Sequence, residues 1–376
     1  MATMAGILTS YSTPISQLPR NQKMQKKRKK IAILFGGCST EYEVSLQSAY
    51  SVIEHLDTEK YEPVMIGLER VTGKWYLYRG GIDQIPEDKW MEQECVPVFP
   101  SADRTVHGIC YLEGDAVRTI SLDAALPVLH GKNGEDGTVQ GVFELAGVPV
   151  IGCGVLSSAL CMDKEISHRI VSDAGIKTAR SVLLEENVSE NEVKKAAMEL
   201  GYPVFVKPDR AGSSFGITKV TDEEHLMEAV ENAFLHDSIV ILEETVPGFE
   251  VGCAVLGCDE LTVGEIDEIE LSDGFFDYTE KYTLKTSKIH VPARISREKS
   301  EELKETAKKI YRLLQCSHFA RVDMFLTPDG DIYFNEVNTI PGFTVHSRYP
   351  NMLKAAGIPF GEVISRLIEM GSGQEK

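Results

Sequence analysis

Asp323, Glu336 and Asn338 are three oxygen ligands that a tight hairpin would bring to one point. Between them lies Thr327-Pro-Asp-Gly-Asp331, in which Asp329-Gly330 suits a two-residue type I′ turn. That turn pairs Asp323 with Glu336 and Arg321 with Asn338. Residues two apart on a strand share a face, so all four side chains meet on one side. Such an oxygen cluster suits Mg²⁺, completed by water and nucleotide phosphates. The plainer reading is a solvated polar face. Apolar Val322, Met324 and Leu326 on the opposite side argue for a packed strand instead. A slip of one residue in register would undo the arrangement.

Two further stretches bear chemistry. Lys207-Pro-Asp-Arg-Ala-Gly-Ser-Ser-Phe-Gly216 lacks the P-loop pattern and lies between two expected strands. Its small residues let backbone N–H groups converge on a phosphate, and Lys207 stands at a strand end. A flexible hairpin tip is the alternative. Phe275-Phe-Asp-Tyr-Thr-Glu-Lys-Tyr282 alternates aromatic and charged residues, as a lid over a ligand or an exposed loop would. Gly152-x-Gly154-x-x-Ser157 fails as a dinucleotide fingerprint at its third glycine and reads as an interdomain hinge.

The elements that must hold these residues are α/β. Ile31–Phe35 is a buried strand, followed by a helix over 39–55 and a strand over 61–68, which opens a parallel sheet. Strands over 124–130 and 148–151 flank a helix over 138–146, completing a doubly wound domain to residue 152. A single helix is expected over 158–174, then strands over 202–207, 217–220 and 239–244 and a helix over 223–235. A helix over 298–314 and the hairpin 319–338 close the pattern. The expected division is a disordered leader over 1–30, an N-terminal Rossmann-like domain over 31–152, a central unit over 153–246 and a C-terminal unit over 247–376.

Composition narrows the class. The chain has 376 residues, 43% hydrophobic and 26% charged, with a net charge of −18. No apolar run reaches the ~18 residues of a membrane helix. Residues 1–30 hold seven basic residues and no acid, so the remainder is more acidic still. Such a surface repels a phosphodiester backbone and excludes nucleic acid as a partner. The leader reads as a transit peptide, an artificial leader or the upstream extension of a frame starting at Met24. The eight cysteines form no Cys-x-x-Cys pair and read as reduced thiols of a cytoplasmic protein.

The motifs together resemble one family. Phe35-Gly-Gly-Cys-Ser-Thr-Glu-Tyr-Glu-Val-Ser45, Leu129-His-Gly-Lys-Asn-Gly-Glu-Asp-Gly-Thr138, Ala159-Leu-Cys-Met-Asp-Lys164, the glycine loop and Asn335-Glu-Val-Asn-Thr-Ile-Pro-Gly342 are similar to those of D-alanine–D-alanine ligases. The resemblance implies an ATP-grasp fold, ATP and two Mg²⁺ ions (or Mn²⁺), and a homodimer. Lys164, Lys207 and Lys281 then contact phosphates, under a loop bearing Ser213 and Ser214. Glu243, Glu244 and Glu250 belong to the adenine and ribose site, and Asp323, Glu336 and Asn338 to the metal. Catalytic positions are Glu41, Ser213, Tyr282, Arg321 and Gly342; Glu41 holds the first D-alanine's ammonium, and Arg321 with the Gly342 N–H stabilises the oxyanion. Substrate-binding positions are Glu41, His130, Phe276, Ser347 and Arg348.

The second substrate turns on two details. D-alanine–D-alanine ligases usually carry an apolar residue where Arg348 stands, and arginine there would bond a serine hydroxyl. The lid around Glu280-Lys-Tyr282 resembles that of vancomycin-resistance D-alanine–D-serine ligases of the VanG and VanC types, VanG more closely. The alternatives are D-alanine as second substrate, an ATP-grasp enzyme joining a different acid and amine, and a non-catalytic nucleotide-binding relative.

Overall fold

The computed structural model describes residues 27–212, 215–271 and 287–373, which build three β-sheets. The first contains β1 (Lys29–Gly36), β2 (Tyr61–Leu68), β3 (Trp75–Tyr78), β4 (Cys95–Pro100), β5 (Gly108–Glu113), β6 (Ala116–Ser121) and β7 (Ala124–Pro127), in the order β6-β5-β4-β3-β2-β1-β7. Its centre, β2-β1-β7, is parallel as expected; the other four strands continue it antiparallel. Residues 148–151 contribute a single parallel bridge, Val150 to Ala125, and not a full strand. The expected leader ended at Lys30, but Lys29 and Lys30 already belong to β1, and Lys29 Nζ donates to the carbonyl of Ser372 at 2.9 Å.

β1 shows why an unbroken apolar run makes a central strand. Ile31, Ile33 and Phe35 enter one core, while Ala32 and Leu34 enter another on the opposite face. Helix α1 (Tyr42–Glu54) packs on the first face, and α2 (Thr138–Ala146) covers the second with Val139 and Phe143.

The helix expected over 158–174 is two, α3 (Val155–Met162) and α4 (Lys164–Asp173). Asp163 breaks it: its backbone is extended and its carboxylate accepts the Ile166 N–H at 2.9 Å, an N-cap that competes with helix continuation. The cap places Lys164 at the first position of α4.

After β8 (Lys177–Thr178), the second sheet is antiparallel. It contains β9 (Ser181–Glu185), β10 (Val204–Pro208), β11 (Thr218–Val220) and β12 (Ile239–Glu244), in the order β11-β10-β12-β9. Helices α5 (Glu190–Leu200) and α6 (Leu226–Phe234) back it. The third sheet runs β16-β15-β13-β17-β18-β8, from β13 (Phe249–Leu256), β15 (Asp267–Leu271), β16 (Ser287–His290), β17 (Phe319–Leu326) and β18 (Ile332–Asn338), with β14 (Thr262–Val263) beside β13. Helix α7 (Arg297–Leu313) presses Leu303, Ala307 and Ile310 onto Val251, Val322 and Met324. The last helices, α8 (Arg348–Ala355) and α9 (Phe360–Ser372), return to the first sheet. Tyr349, Val363 and Leu367 share a core with Ile31, Phe35 and Leu126.

The β17–β18 register pairs Arg321 with Asn338 and Asp323 with Glu336, as the sequence suggested, but by another route. Thr327 N–H donates to the Asp331 carbonyl and Gly330 N–H to the Thr327 carbonyl, with Gly330 at φ 85°. This is a three-residue loop with glycine in the left-handed position, one residue longer than the I′ turn. A bulge at Asn335 restores the lost residue, so Met324 faces Phe334 while Asp323 still faces Glu336. His168 on α4 fixes the bulge through its Nε2, 2.7 Å from the Asn335 carbonyl.

Because the α4 cap sets the start of the helix that carries Lys164 and His168, Asp163→Ala should cost about 1 kcal/mol. Urea titration should show a lower midpoint at unchanged slope.

Candidate active site

β17 sends Ala320, Val322 and Met324 into the core and leaves Arg321 and Asp323 on the other face. Asp323 is only 1% exposed. It tolerates burial because it is densely partnered: Arg321 Nε and Nη2 donate to it at 2.7 and 2.6 Å, and Asn338 Nδ2 at 2.9 Å. Asn338 Nδ2 also reaches Glu336 Oε1 at 3.5 Å, so the two carboxylates and the amide converge. Burial works against the charge on Arg321, but Asp323 outweighs it and raises the guanidinium pKa.

A cavity of about 450 Å³ opens beside this face, lined among others by Lys164, Lys207, Glu243, Glu250 and Glu336. Lys207 Nζ donates to Glu243 Oε1 at 2.7 Å across β10 and β12, and both are buried. Glu243 Oε2 is buried with no hydrogen-bond partner among the described residues, an acceptor waiting for a donor. Glu244 also lines the cavity but pairs with Arg180 at 2.6 Å. Lys164 Nζ donates to the Asp209 and Ala211 carbonyls at 3.2 and 2.9 Å, tying α4 to the glycine loop.

A second recess of about 40 Å³ adjoins the first, since Lys164, Ala211 and Glu336 line both. Its walls include Glu41, Glu135, Gly212 and Asn338. Two glycines make room for Glu41: a Cβ on Gly131 would sit 2.5 Å from Glu41 Oε2, and one on Gly212 at 2.9 Å. Burial and the nearby Glu41 raise the Glu135 carboxyl to about 8, against the pull of the Gly131 and Ile340 N–H groups.

His130 is buried, and burial lowers its pKa, so it is neutral near pH 7. Its Nδ1 lies 2.7 Å from the Ile340 carbonyl, which can only accept, so Nδ1 carries the proton. Nε2 then accepts from Ser48 Oγ at 3.0 Å, and Ser48 Oγ accepts the Phe343 N–H at 3.2 Å. His130 thus braces the loop that carries Gly342. Ser347 Oγ lies beside that glycine, 3.1 Å from where its Cβ would stand.

Arg348, expected to bond a substrate hydroxyl, is buried among acids. Nε and Nη2 donate to Asp267 at 2.7 and 2.9 Å, and Nη1 donates to Glu250 at 2.8 Å. Nη2 also lies 3.5 Å from Asp323. The side chain is 9% exposed, so its first task is to neutralise this acidic wall. Glu250, expected at the ribose, is part of the same wall and lines the larger cavity.

The donor set of Asp323, Glu336 and Asn338 fits a hard divalent cation. Half a turn of the Asn338 amide would direct its oxygen inward in place of its nitrogen. No cluster of three His, Cys, Asp or Glu side chains suited to a metal occurs among the described residues.

Comparison with known proteins decides the family. Residues 30–153 match the model of the D-ala D-ala ligase N-terminus, and residues 170–369 that of the C-terminus. The chain belongs to the D-alanine–D-alanine ligase family. It is 43% identical to a D-alanine–D-alanine ligase from Caldicellulosiruptor bescii, over 91% of this chain and 94% of the relative. It is 47% identical to a putative D-alanine–D-lactate ligase from Streptomyces coelicolor, over 91% and 97%. The crystal structure of the VanG D-Ala:D-Ser ligase from Enterococcus faecalis superposes with a TM-score of 0.85, at 56% identity, over 92% of this chain and 99% of that one. The protein is an ATP-dependent ligase of ATP-grasp type.

Within this ligase, Glu41, His130, Lys164, Lys207, Glu243, Arg321, Asp323, Glu336 and Asn338 gather around the two connected recesses. Ser213, Ser214, Phe276, Lys281 and Tyr282 lie outside the described residues. Asp267, Ser48 and His168 carry no sequence signal of their own, because their partners are distant in the chain. All eight cysteines are free, and among the described residues no helix is long and apolar enough to cross a membrane.

The raised Glu135 carboxyl predicts a pH signature. Folding favours its protonated form, so its contribution to stability is greatest below the ordinary carboxylate range and is lost as pH rises towards about 8. Wild type should lose stability relative to Glu135→Gln across that interval, followed as melting temperature without ligand.

Proposed function

We propose that this ligase joins D-alanine to D-serine, forming the dipeptide through a D-alanyl phosphate. Arg348 carries the reading: a guanidinium stands next to Ser347, where D-alanine–D-alanine ligases usually place an apolar residue. Asp267 and Glu250 hold it rigidly, which suits a polar wall for a hydroxyl, met directly or through water. A site built for a hydroxyl rejects the analogue that lacks it, because its polar groups are then left unpaired. The likeness to the VanG D-Ala:D-Ser ligase supports the same choice. D-alanine as second substrate is the alternative, supported by the likeness to D-alanine–D-alanine ligases.

In this reading Glu41 holds the ammonium of the first D-alanine, and the recess beside it takes the carboxylate. ATP lies in the larger cavity, where the open acceptor of Glu243 suits the adenine amino group and Lys164 and Lys207 face the phosphates. Asp323, Glu336 and Asn338 would hold two Mg²⁺ ions (Mn²⁺ also suits the donors), which neutralise phosphate charge when bound. The D-alanine carboxylate takes the γ-phosphoryl group, and the amine of D-serine attacks the acyl phosphate. Arg321 and the Gly342 N–H stabilise the oxyanion, and collapse expels phosphate. Ser213, Tyr282, Lys281 and Phe276 complete the site from the glycine loop and lid. The dipeptide would serve peptidoglycan precursor synthesis and vancomycin resistance in the cytoplasm, and the enzyme would work as a homodimer of three-domain chains.

Incubating the enzyme with ATP, D-alanine and equimolar D-serine should yield mainly the mixed dipeptide. Equal or better turnover with D-alanine alone would overturn the serine assignment. Arg348→Leu should shift the product ratio towards D-alanyl-D-alanine. The ratio is read on folded protein, because loss of a buried ion-pair partner costs about 3–5 kcal/mol.

A further inference from the structure

Glu135 lies in the small recess but has no role in the reaction as described so far. Its carboxylate touches two loops. Oε2 accepts the Gly131 N–H at 2.8 Å, and Oε1 accepts the Ile340 N–H at 2.8 Å. Gly131 forms the wall against Glu41, and Ile340 opens the segment that carries Gly342. The Ile340 peptide is held at both ends, since its carbonyl accepts from His130 Nδ1. Thr339 Oγ1 also donates to the Glu135 carbonyl at 3.4 Å.

We propose that Glu135 is a positioning residue whose carboxylate ties the Glu41 wall to the Gly342 loop, fixing the first substrate's ammonium site relative to the oxyanion donor. Two features favour a functional tether over ordinary loop packing. Ser48 and His130 already brace the same loop with neutral groups. A third brace, the Glu135 carboxyl, stands in the recess with Glu41 and Glu336, where like charge favours its protonated form. A carboxyl group, protonated or not, can accept from both N–H groups at once, one on each oxygen. Glutamine would turn an N–H donor towards one of them, and aspartate is too short to span the two. A displacement of about 1 Å between reacting groups lowers rates on the order of 100-fold.

The proposal rests on the ligase reading, and its test separates the two. Dipeptide and phosphate are measured together for wild type, Glu135→Gln and Glu135→Asp. Both variants should lose kcat on the order of 10- to 100-fold, with the KM for ATP within about twofold of wild type. They should also release more than one phosphate per dipeptide, because a misplaced loop lets water compete for the acyl phosphate. Wild-type kcat and coupling in either variant would overturn the tether. So would a fall in kcat with coupling intact. Amide exchange at Ile340 in the wild-type protein should be strongly protected, and exchange at the rate of an open loop would refute the tether even if neither variant folds. A wild-type enzyme that makes no dipeptide would instead refute the ligase reading, and the amide exchange then decides the tether alone.

Discussion

Burying Asp323 commits much of the site's architecture. A carboxylate removed from water must be matched by fixed positive charge and by donors to its lone pairs. Arg321 supplies a two-pronged guanidinium from the same strand, and Asn338 adds an amide from the neighbouring strand. Arg348 approaches from α8 and brings Asp267 and Glu250 with it. Strands β13, β15, β17 and β18 are thus bound by charge on one face, while β13, β17 and β18 turn apolar residues towards α7 on the other. Moving any member of this set would strand a buried charge, so the face is rigid before a ligand arrives.

Charge of both signs lines the two recesses. Lys207 stands in the larger one beside Glu243, and Glu41 and Glu135 stand in the smaller one. Lys164 and Glu336 line both. In an acidic chain these lysines, set at a strand end and a helix start, make a local basic spot. Neutral groups do the aligning: His130 and Ser48 fix the Gly342 loop without adding charge.

Much of this was legible in the sequence, for identifiable reasons. The Ile239–Glu244 strand and the Thr138–Ala146 helix match their expected limits, because unbroken apolar runs and helical periodicity are local signals. The pairing of Asp323 with Glu336 is legible too, although a two-residue turn is not what sets it. The loop is one residue longer than supposed, and the Asn335 bulge compensates. No local pattern marks that bulge, because the His168 that fixes it lies on another helix. The break between α3 and α4 is not legible in the residue pattern, because Asp163 acts as a cap only once its side chain turns onto Ile166. Arg348 was singled out by its residue type, but its burial depends on acids from β13 and β15. The covering of the first sheet by α8 and α9 is likewise a fact of tertiary packing.

The central claim is that Asp323, Glu336 and Asn338 form one metal and nucleotide face. Titrating Mn²⁺ against the enzyme with ATP, followed by the electron paramagnetic resonance of the free ion, tests it most directly. Wild type should take up Mn²⁺ only when ATP is present, and Glu336→Gln should weaken that uptake on the order of 10- to 100-fold, the scale seen when a group that supports a metal site is removed. Equal Mn²⁺ uptake by wild type and Glu336→Gln would contradict the account.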